Sequence, residues 1–471
     1  MISSKEIKNV IVPFIFCFVV FFNTPIDAKV VYVSSLQGND INDGLTSEAP
    51  LYSIAKAIEI GDTVLLKSGD IFYENVNIHK GLISKYGGNK LPILRGYKRI
   101  IKPKWQKADI NIWRISLAEN NYSGFDTHGS SMDNNIGCIY EYDKKIIHGR
   151  KQQYKNQLME DWDIWQTEKH TREDAKASDF DSLYLYLKSD PNKLKLEFTV
   201  TRAAAYVTNA TIENIRFEGF GFGISAGTKS VIRNCEIDVI GGRTQLSPDY
   251  VCYGNGIEFW ITEGLADCLV EHNIISRCYD CGCTIQGRDA SPRNIRFNNN
   301  VIIDCCEGWE DFITNSSSDV VFQDCVFENN LVINSGNTSG FGYPEGRNKF
   351  CHILGNNYLG NKGMIFCNNT FIGGNYLCAA EYQDAYKSNV WNNNTCYIKR
   401  GEWLLKCTYK GLAYVEVPLT KGGFNSIGDA TNYAITRYRE LCGDNTTRFV
   451  VMSKKKIDRR VSRLEKKYIK K

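Results

Sequence analysis

A seven-residue pattern, apolar-x-x-Asn-Asn-x-apolar in its fuller copies, recurs along the second half of the chain and constrains the fold more than any other feature. It reads Val231-Ile-Arg-Asn-Cys-Glu-Ile237, Leu269-Val-Glu-His-Asn-Ile-Ile275, Ile295-Arg-Phe-Asn-Asn-Asn-Val301 and Val326-Phe-Glu-Asn-Asn-Leu-Val332. It continues as Ile365-Phe-Cys-Asn-Asn-Thr-Phe371 and Val390-Trp-Asn-Asn-Asn-Thr-Cys396, with a weaker copy at Thr211–Phe217. The apolar residues do not recur with helical spacing, so each copy reads as two short strands meeting at a bend. A repeat of this kind stacks into a solenoid. Its fifth position runs Ile215, Cys235, Asn273, Asn299, Asn330, Asn369, Asn394. Side-chain amides in such a column can bond to one another coil after coil and satisfy groups that would otherwise be buried alone.

A second strand follows each bend. Gly256, Gly282 and Gly308 open the segments Gly256-Ile-Glu-Phe-Trp, Gly282-Cys-Thr-Ile-Gln and Gly308-Trp-Glu-Asp-Phe. Strand alternation turns Ile257, Cys283 and Trp309 inward and Glu258, Thr284 and Glu310 outward on one face. The expected architecture is an all-β, right-handed parallel β-helix. It has an N-terminal capping helix beginning at Ser53 and an inserted β-rich region at 101–200 that contains Trp105, Trp113, Trp162 and Trp165, read mainly as core residues. The cap and first coils occupy 29–100, the main coils 201–407, and a C-terminal cap with a basic tail 408–471.

The opening segment Val31-Tyr-Val-Ser-Ser35, Gly38-Asn-Asp40, Asn42-Asp-Gly-Leu-Thr46, Ala49-Pro-Leu51 and Ser53–Ile58 carries a family likeness. So does the following Gly61-Asp-Thr-Val-Leu-Leu-Lys67. Together with the coils, it resembles the exported, pectate-lyase-like right-handed parallel β-helix proteins. That resemblance implies a carbohydrate-active protein, but such folds host lyases, hydrolases, epimerases and non-catalytic binders. No Asp-Asp pair, Asn-Thr-Asp or Gly-His-Gly motif of the polygalacturonases is present.

Residues 1–28 read as a signal peptide, with Lys5 and Lys8 before the apolar run Val10–Phe22 and Ala28 before the cut. The expected destination is secreted, periplasmic or cell-surface. No later stretch is apolar enough to span a bilayer. Of the 17 cysteines, Cys17 lies in that leader and many others fall at repeat positions, where a thiol fills space as a small apolar group. The net charge of +4 is uneven, because Ser453–Lys471 alone holds ten basic and two acidic residues. The body is therefore not a nucleic-acid binder. The tail is expected to dock through Ile457, Val461, Leu464 and Tyr468, or else to attract an acidic polymer or surface. A capped solenoid is expected to be a monomer.

The candidate chemistry lies where acids concentrate in consecutive coils. Glu258 and Glu310, two coils apart, could serve as general acid and base in glycoside hydrolysis, with Asp280 and Asp311 as further catalytic candidates. Tyr253 and Trp260 could stack on sugar rings, Arg243 and Arg288 could pair with uronate carboxylates, and Gln286 could bind hydroxyls. No cofactor is required for hydrolysis. A lyase or epimerase would use an Arg or Lys base, with Ca²⁺ held among Asp280, Glu307, Glu310 and Asp311. A non-catalytic polysaccharide binder would need only the aromatic and amide residues.

Overall fold

The computed structural model describes residues 28–99, 103–117, 136–152, 154–166, 182–241, 243–245, 251–261, 264–288, 290–314, 320–336, 351–356, 362–374, 376–380, 389–400, 405–407 and 426–469. The proposed signal peptide therefore lies almost wholly outside the described residues. The chain winds as the expected right-handed parallel β-helix. Three long sheets run its length. Sheet I holds ten strands, from Val30–Val33 to Val390–Asn392, and sheet II ten, from Ile71–Phe72 to Arg448–Met452. Sheet III carries the strands Phe220–Ala226, Ile257–Ile261, Cys281–Arg288, Glu307–Thr314, Cys351–Asn356 and Tyr376–Ala380 in that order. One coil visits I, II and III in turn, so its core is a column of side chains. Val270, Phe297, Phe327, Phe366 and Trp391 are stacked register partners within it.

The bend between sheets I and II explains the asparagines. At its fourth position Asn214, Asn234, His272, Asn299, Asn329, Asn368 and Asn393 all have φ between 51° and 59°. Asn tolerates this left-handed conformation because its short polar side chain can bond locally. At the fifth position the buried amides form a ladder. Asn273 Nδ2 donates to Asn300 Oδ1 at 3.0 Å, Asn300 Nδ2 to Asn330 Oδ1 at 3.0 Å, Asn330 Nδ2 to Asn369 Oδ1 at 3.2 Å, and Asn369 Nδ2 to Asn394 Oδ1 at 3.1 Å. The sequence pattern put Asn299 in this column, and the structure corrects it by one place. Phe297, not Phe327's neighbour Val326, sets the register: Val270, Phe297 and Phe327 align, so that copy begins at Arg296 and Asn300 is the ladder residue. Three consecutive asparagines hid the slip. In a strand, one residue of shift exchanges the buried and exposed faces.

Each ladder residue serves several buried groups. Asn330 also accepts from the Asn300 backbone N–H at 2.8 Å and donates to the Phe297 carbonyl at 2.9 Å. Asn330→Ala is expected to destabilise the protein by about 3–5 kcal/mol, since two or three buried partners lose their bonds at once. Chemical denaturation of the two proteins measures this directly, and a loss below about 1 kcal/mol would contradict the role given to the ladder.

The helix Ile54–Ile60 covers the N-terminal end with Ile54 and Ala57 buried, and it stops at Gly61. At the other end the helix Ile427–Cys442 contributes Ala430, Ala434, Tyr438, Leu441 and Cys442 to the main core. The basic helix Lys454–Tyr468 lies on the outside of sheet II, with Ile457 and Val461 buried against Ile303, Ile333 and Ile372. No helix among the described residues is long and apolar enough to cross a membrane.

The chain leaves the solenoid after Tyr97–Arg99 and builds a five-stranded sheet from Gln106–Asp109, Ile112–Ser116, Arg150–Lys151, Asp163–Trp165 and Ser182–Tyr186. Trp105, Ile115, Ile164, Leu183 and Phe198 form a separate core there, with Trp113 and Trp162 packed against it. The strand Leu196–Val207 pairs with the insert at its start and joins sheet III at its end. Fourteen cysteines among the described residues are free thiols, thirteen of them buried. Nine of these, including Cys235, Cys283 and Cys396, belong to the main core, which is the space-filling role the repeat gave them.

Candidate functional site

Glycines on or just before the sheet III strands set the site's geometry. A Cβ on Gly223 would stand 2.0 Å from the Gly256 carbonyl oxygen, one on Gly256 2.6 Å from that of Gly282, and one on Gly282 3.0 Å from that of Gly308. A side chain at these positions would collide with the backbone or side chains of the neighbouring rung, and glycine lets the strands that follow pair in vertical register. Glu258 pairs with Thr284, and Thr284 with Glu310. Their neighbours Ile257, Cys283 and Trp309 are core residues, so the three polar side chains share the outer face, as the alternation required.

This outer row is not solvated. Glu258 is 3%, Thr284 0% and Glu310 9% exposed. Asn255 Nδ2 donates to Glu258 Oε2 at 2.6 Å, while Asn255 Oδ1 accepts from the Cys281 backbone N–H at 3.1 Å. Gln286 Nε2 donates to Glu310 Oε2 at 2.8 Å, and the Cys281 thiol approaches the same oxygen at 3.4 Å. Burial pushes the Glu258 carboxyl up to about 7; the Asn255 bond opposes the shift and the negative charge of Glu310 adds to it. A carboxyl so held is protonated near neutrality and can donate a proton.

A contrast on sheet II sharpens the point. There Arg95 pairs with Glu218 at 2.6 Å, and Arg216 reaches Glu218, Glu236 and Asp238 at 2.8, 3.0 and 3.0 Å. Burial opposes ionisation of Asp238, but Arg277 and Arg216 hold its carboxyl below the usual range. Those acids are neutralised in place. Among the described residues no such cation bears on Glu258, whose shift comes from burial, the Asn255 bond and the Glu310 charge.

Asp311 stands elsewhere than the sequence reading placed it. It follows Phe259 and Ile285 in register and lies between the core residues Trp309 and Ile313, so its side chain belongs to the inward row. It is 2% exposed, its Oδ1 has no hydrogen-bond partner, and burial, followed by the Glu310 charge, raises its carboxyl to about 7. Alternation already implied this, because Asp311 is two residues from the inward Trp309; the attraction of an acidic pair masked it.

The remaining candidates spread along the same strands. Trp260 is 47% exposed and pairs in register with Gln286, which is buried. Arg288 is exposed at the far end of its strand. Arg243 and Tyr253 face each other in a two-stranded antiparallel ribbon, of which only the backbone is described. Asp280, Cys281 and Glu307 gather at the corner before the row, with potential ligand atoms within 4.8 Å of one another. Calcium takes six to eight oxygens. This corner offers the Asp280 and Glu307 carboxylates around a thiol that burial holds in its neutral form; Glu310 borders it through the same thiol, and Asp311 faces the other side of the strand. A neutral thiol at the centre of the cluster is a poor ligand for calcium, which prefers oxygen. Asn255 and Cys281, which hold the two glutamates, were not singled out as site residues from the sequence. Asn255 lies just before its strand, outside the alternating row, and its bond to Glu258 is seen only in the fold.

The fold and this row define a parallel β-helix protein with a buried acidic pair on sheet III. No protein-family model matches the chain, and no curated protein does. Among solved structures it is similar to XylC in complex with xylose, at TM-score 0.40 and 13% identity over 81% of this chain and 70% of that one. It is also similar to a glycoside hydrolase, at 0.36 and 12% over 78% and 96%, and to the GH136 lacto-N-biosidase from Eubacterium ramulus, at 0.33 and 12% over 90% and 67%. These likenesses are distant, and the fold rests on the strand pairing itself.

Proposed function

We propose that this is an exported, carbohydrate-active protein of the pectate-lyase-like β-helix type that hydrolyses a polysaccharide, with Glu258 as general acid and Glu310 as general base. One observation carries the reading: two buried carboxyl groups share a face with a single rung between them, and the first is raised to about 7. Two rungs of about 4.8 Å put their backbones about 9–10 Å apart. Inverting glycosidases hold their carboxyls about 6.5–9.5 Å apart, leaving room for a water. In this scheme Glu258 gives its proton to the glycosidic oxygen as the bond to the anomeric carbon breaks. Glu310 takes a proton from the water that attacks the opposite face. Exposed Trp260, two residues along the Glu258 row, supplies a flat apolar surface for a sugar ring.

Elimination is the competing chemistry. It needs a base beside a uronate α-proton and usually a hard cation. Exposed Arg288 offers the first, but the Asp280–Cys281–Glu307 corner is a poor home for the second. Digestion of a panel of neutral and uronate-containing polysaccharides tests the reading. New reducing ends without ultraviolet-absorbing unsaturated ends are expected. Unsaturated ends, or turnover abolished by a chelator, would replace hydrolysis by elimination, and binding without turnover would leave a non-catalytic binder.

A further inference from the structure

Among the described residues of the outer row, Thr284 is buried with its hydroxyl unsatisfied. It occupies the rung between Glu258 and Glu310, and its flanking residues Cys283 and Ile285 are both core, so its hydroxyl is aimed to the outer face between the two carboxyls. The side chain is fully buried and Oγ1 has no hydrogen-bond partner. Its vertical neighbours are engaged elsewhere, Glu258 with Asn255 and Glu310 with Gln286 and Cys281. A buried hydroxyl without a partner is costly, and valine would fill the same space without that cost. The position therefore makes sense if the hydroxyl is satisfied when the site is filled.

We infer that Thr284 is a positioning residue, whose hydroxyl holds a hydroxyl oxygen at the point of cleavage, either that of the attacking water or one on the bound sugar. The inference rests on the acid–base reading of Glu258 and Glu310. One rung separates Thr284 from each carboxyl, so an oxygen bonded to it lies where the scissile bond must sit for both to act. Hydroxyl and water are both donor and acceptor, which suits a Thr that can rotate its proton to either role.

The test uses the full chain and a polymer it cleaves. Thr284→Val is expected to lower kcat/KM about 10- to 100-fold, the loss of one hydrogen bond made at the transition state. Thr284→Ser, which keeps the hydroxyl, is expected to retain most of the activity. The Tm of Thr284→Val should equal or exceed that of the wild type, because no protein bond is lost. A fall confined to kcat assigns the hydroxyl to the water, and a rise in KM assigns it to the sugar; either supports the inference. Thr284→Ala, read the same way, guards against a clash peculiar to valine. Wild-type kcat/KM in Thr284→Val and Thr284→Ala, with a raised Tm in the first, would overturn it and leave the hydroxyl a packing defect. Glu310→Gln, measured alongside, separates the two layers. If it is inactive while Thr284→Val is not, only the role of Thr284 falls. If Glu310→Gln is fully active, or the wild type cleaves nothing on the panel, the acid–base reading falls and the inference with it.

Discussion

Glu310→Gln is expected to lower kcat about 10²- to 10⁴-fold, the usual contribution of one positioned general base. The amide keeps the size of the side chain and its place beside Gln286 and Cys281 but cannot take a proton from water. Glu258→Gln is expected to cost a similar factor, most of all on substrates with a poor leaving group. The two losses should not add, because acid and base act in one step. The wild-type pH profile carries a further signature. In the proposed scheme Glu258 works protonated, and burial holds its carboxyl at about 7, so activity should fall as the pH rises through about 7. The fall should approach tenfold per pH unit, and Glu258→Gln should abolish that limb. A Glu258→Gln enzyme with the wild-type profile would remove Glu258 from the chemistry.

Asp311→Asn is expected to stabilise the protein at neutral and higher pH while leaving it almost unchanged near pH 4. The carboxyl is buried on the inward row beside its register partner Ile285 and near Trp309, and held at about 7, against 3.8 for the free group. The folded state therefore binds the proton more tightly than the unfolded chain. Stability is full below about pH 4, falls as the pH rises to about 7, and is flat beyond, where both states are ionised. Three pKa units correspond to on the order of 4 kcal/mol. Denaturation midpoints of the two proteins across pH 4 to 8 should diverge steadily and then run parallel. Equal midpoints at pH 8 would mean that Asp311 is solvated or paired in the folded protein. Glu258, held at about 7 against 4.5, contributes a loss of the same sign.

Much of this architecture was legible because a solenoid repeats its own instructions. The vertical neighbours Glu258, Thr284 and Glu310 follow from equating three glycines, and at each of those glycines an added Cβ would collide with the neighbouring rung. Periodicity failed where it was degenerate. In Asn298-Asn299-Asn300 any of the three could be the ladder residue, and only packing of Phe297 between Val270 and Phe327 decides. The site was legible only in part. Alternation separates Glu310 from Asp311, but composition alone lumps them together. The groups that hold the glutamates come from outside the row: Asn255 precedes its strand, and the Cys281 thiol reaches across to Glu310. Burial of the row, which raises Glu258, depends on tertiary cover that no local pattern encodes.

The spacing of the two glutamates makes a stereochemical commitment that proton NMR of the first-formed product can check. In the proposed scheme a backbone spacing of two rungs, about 9–10 Å, suits a water between the carboxyls better than direct attack by Glu310 on the anomeric carbon. The new reducing end should appear first in the anomeric configuration opposite to that of the bond cleaved, and equilibrate only afterwards. A product that first appears with its original configuration would mean a covalent intermediate and a closer pair of carboxyls, and would contradict the assignment of Glu258 and Glu310.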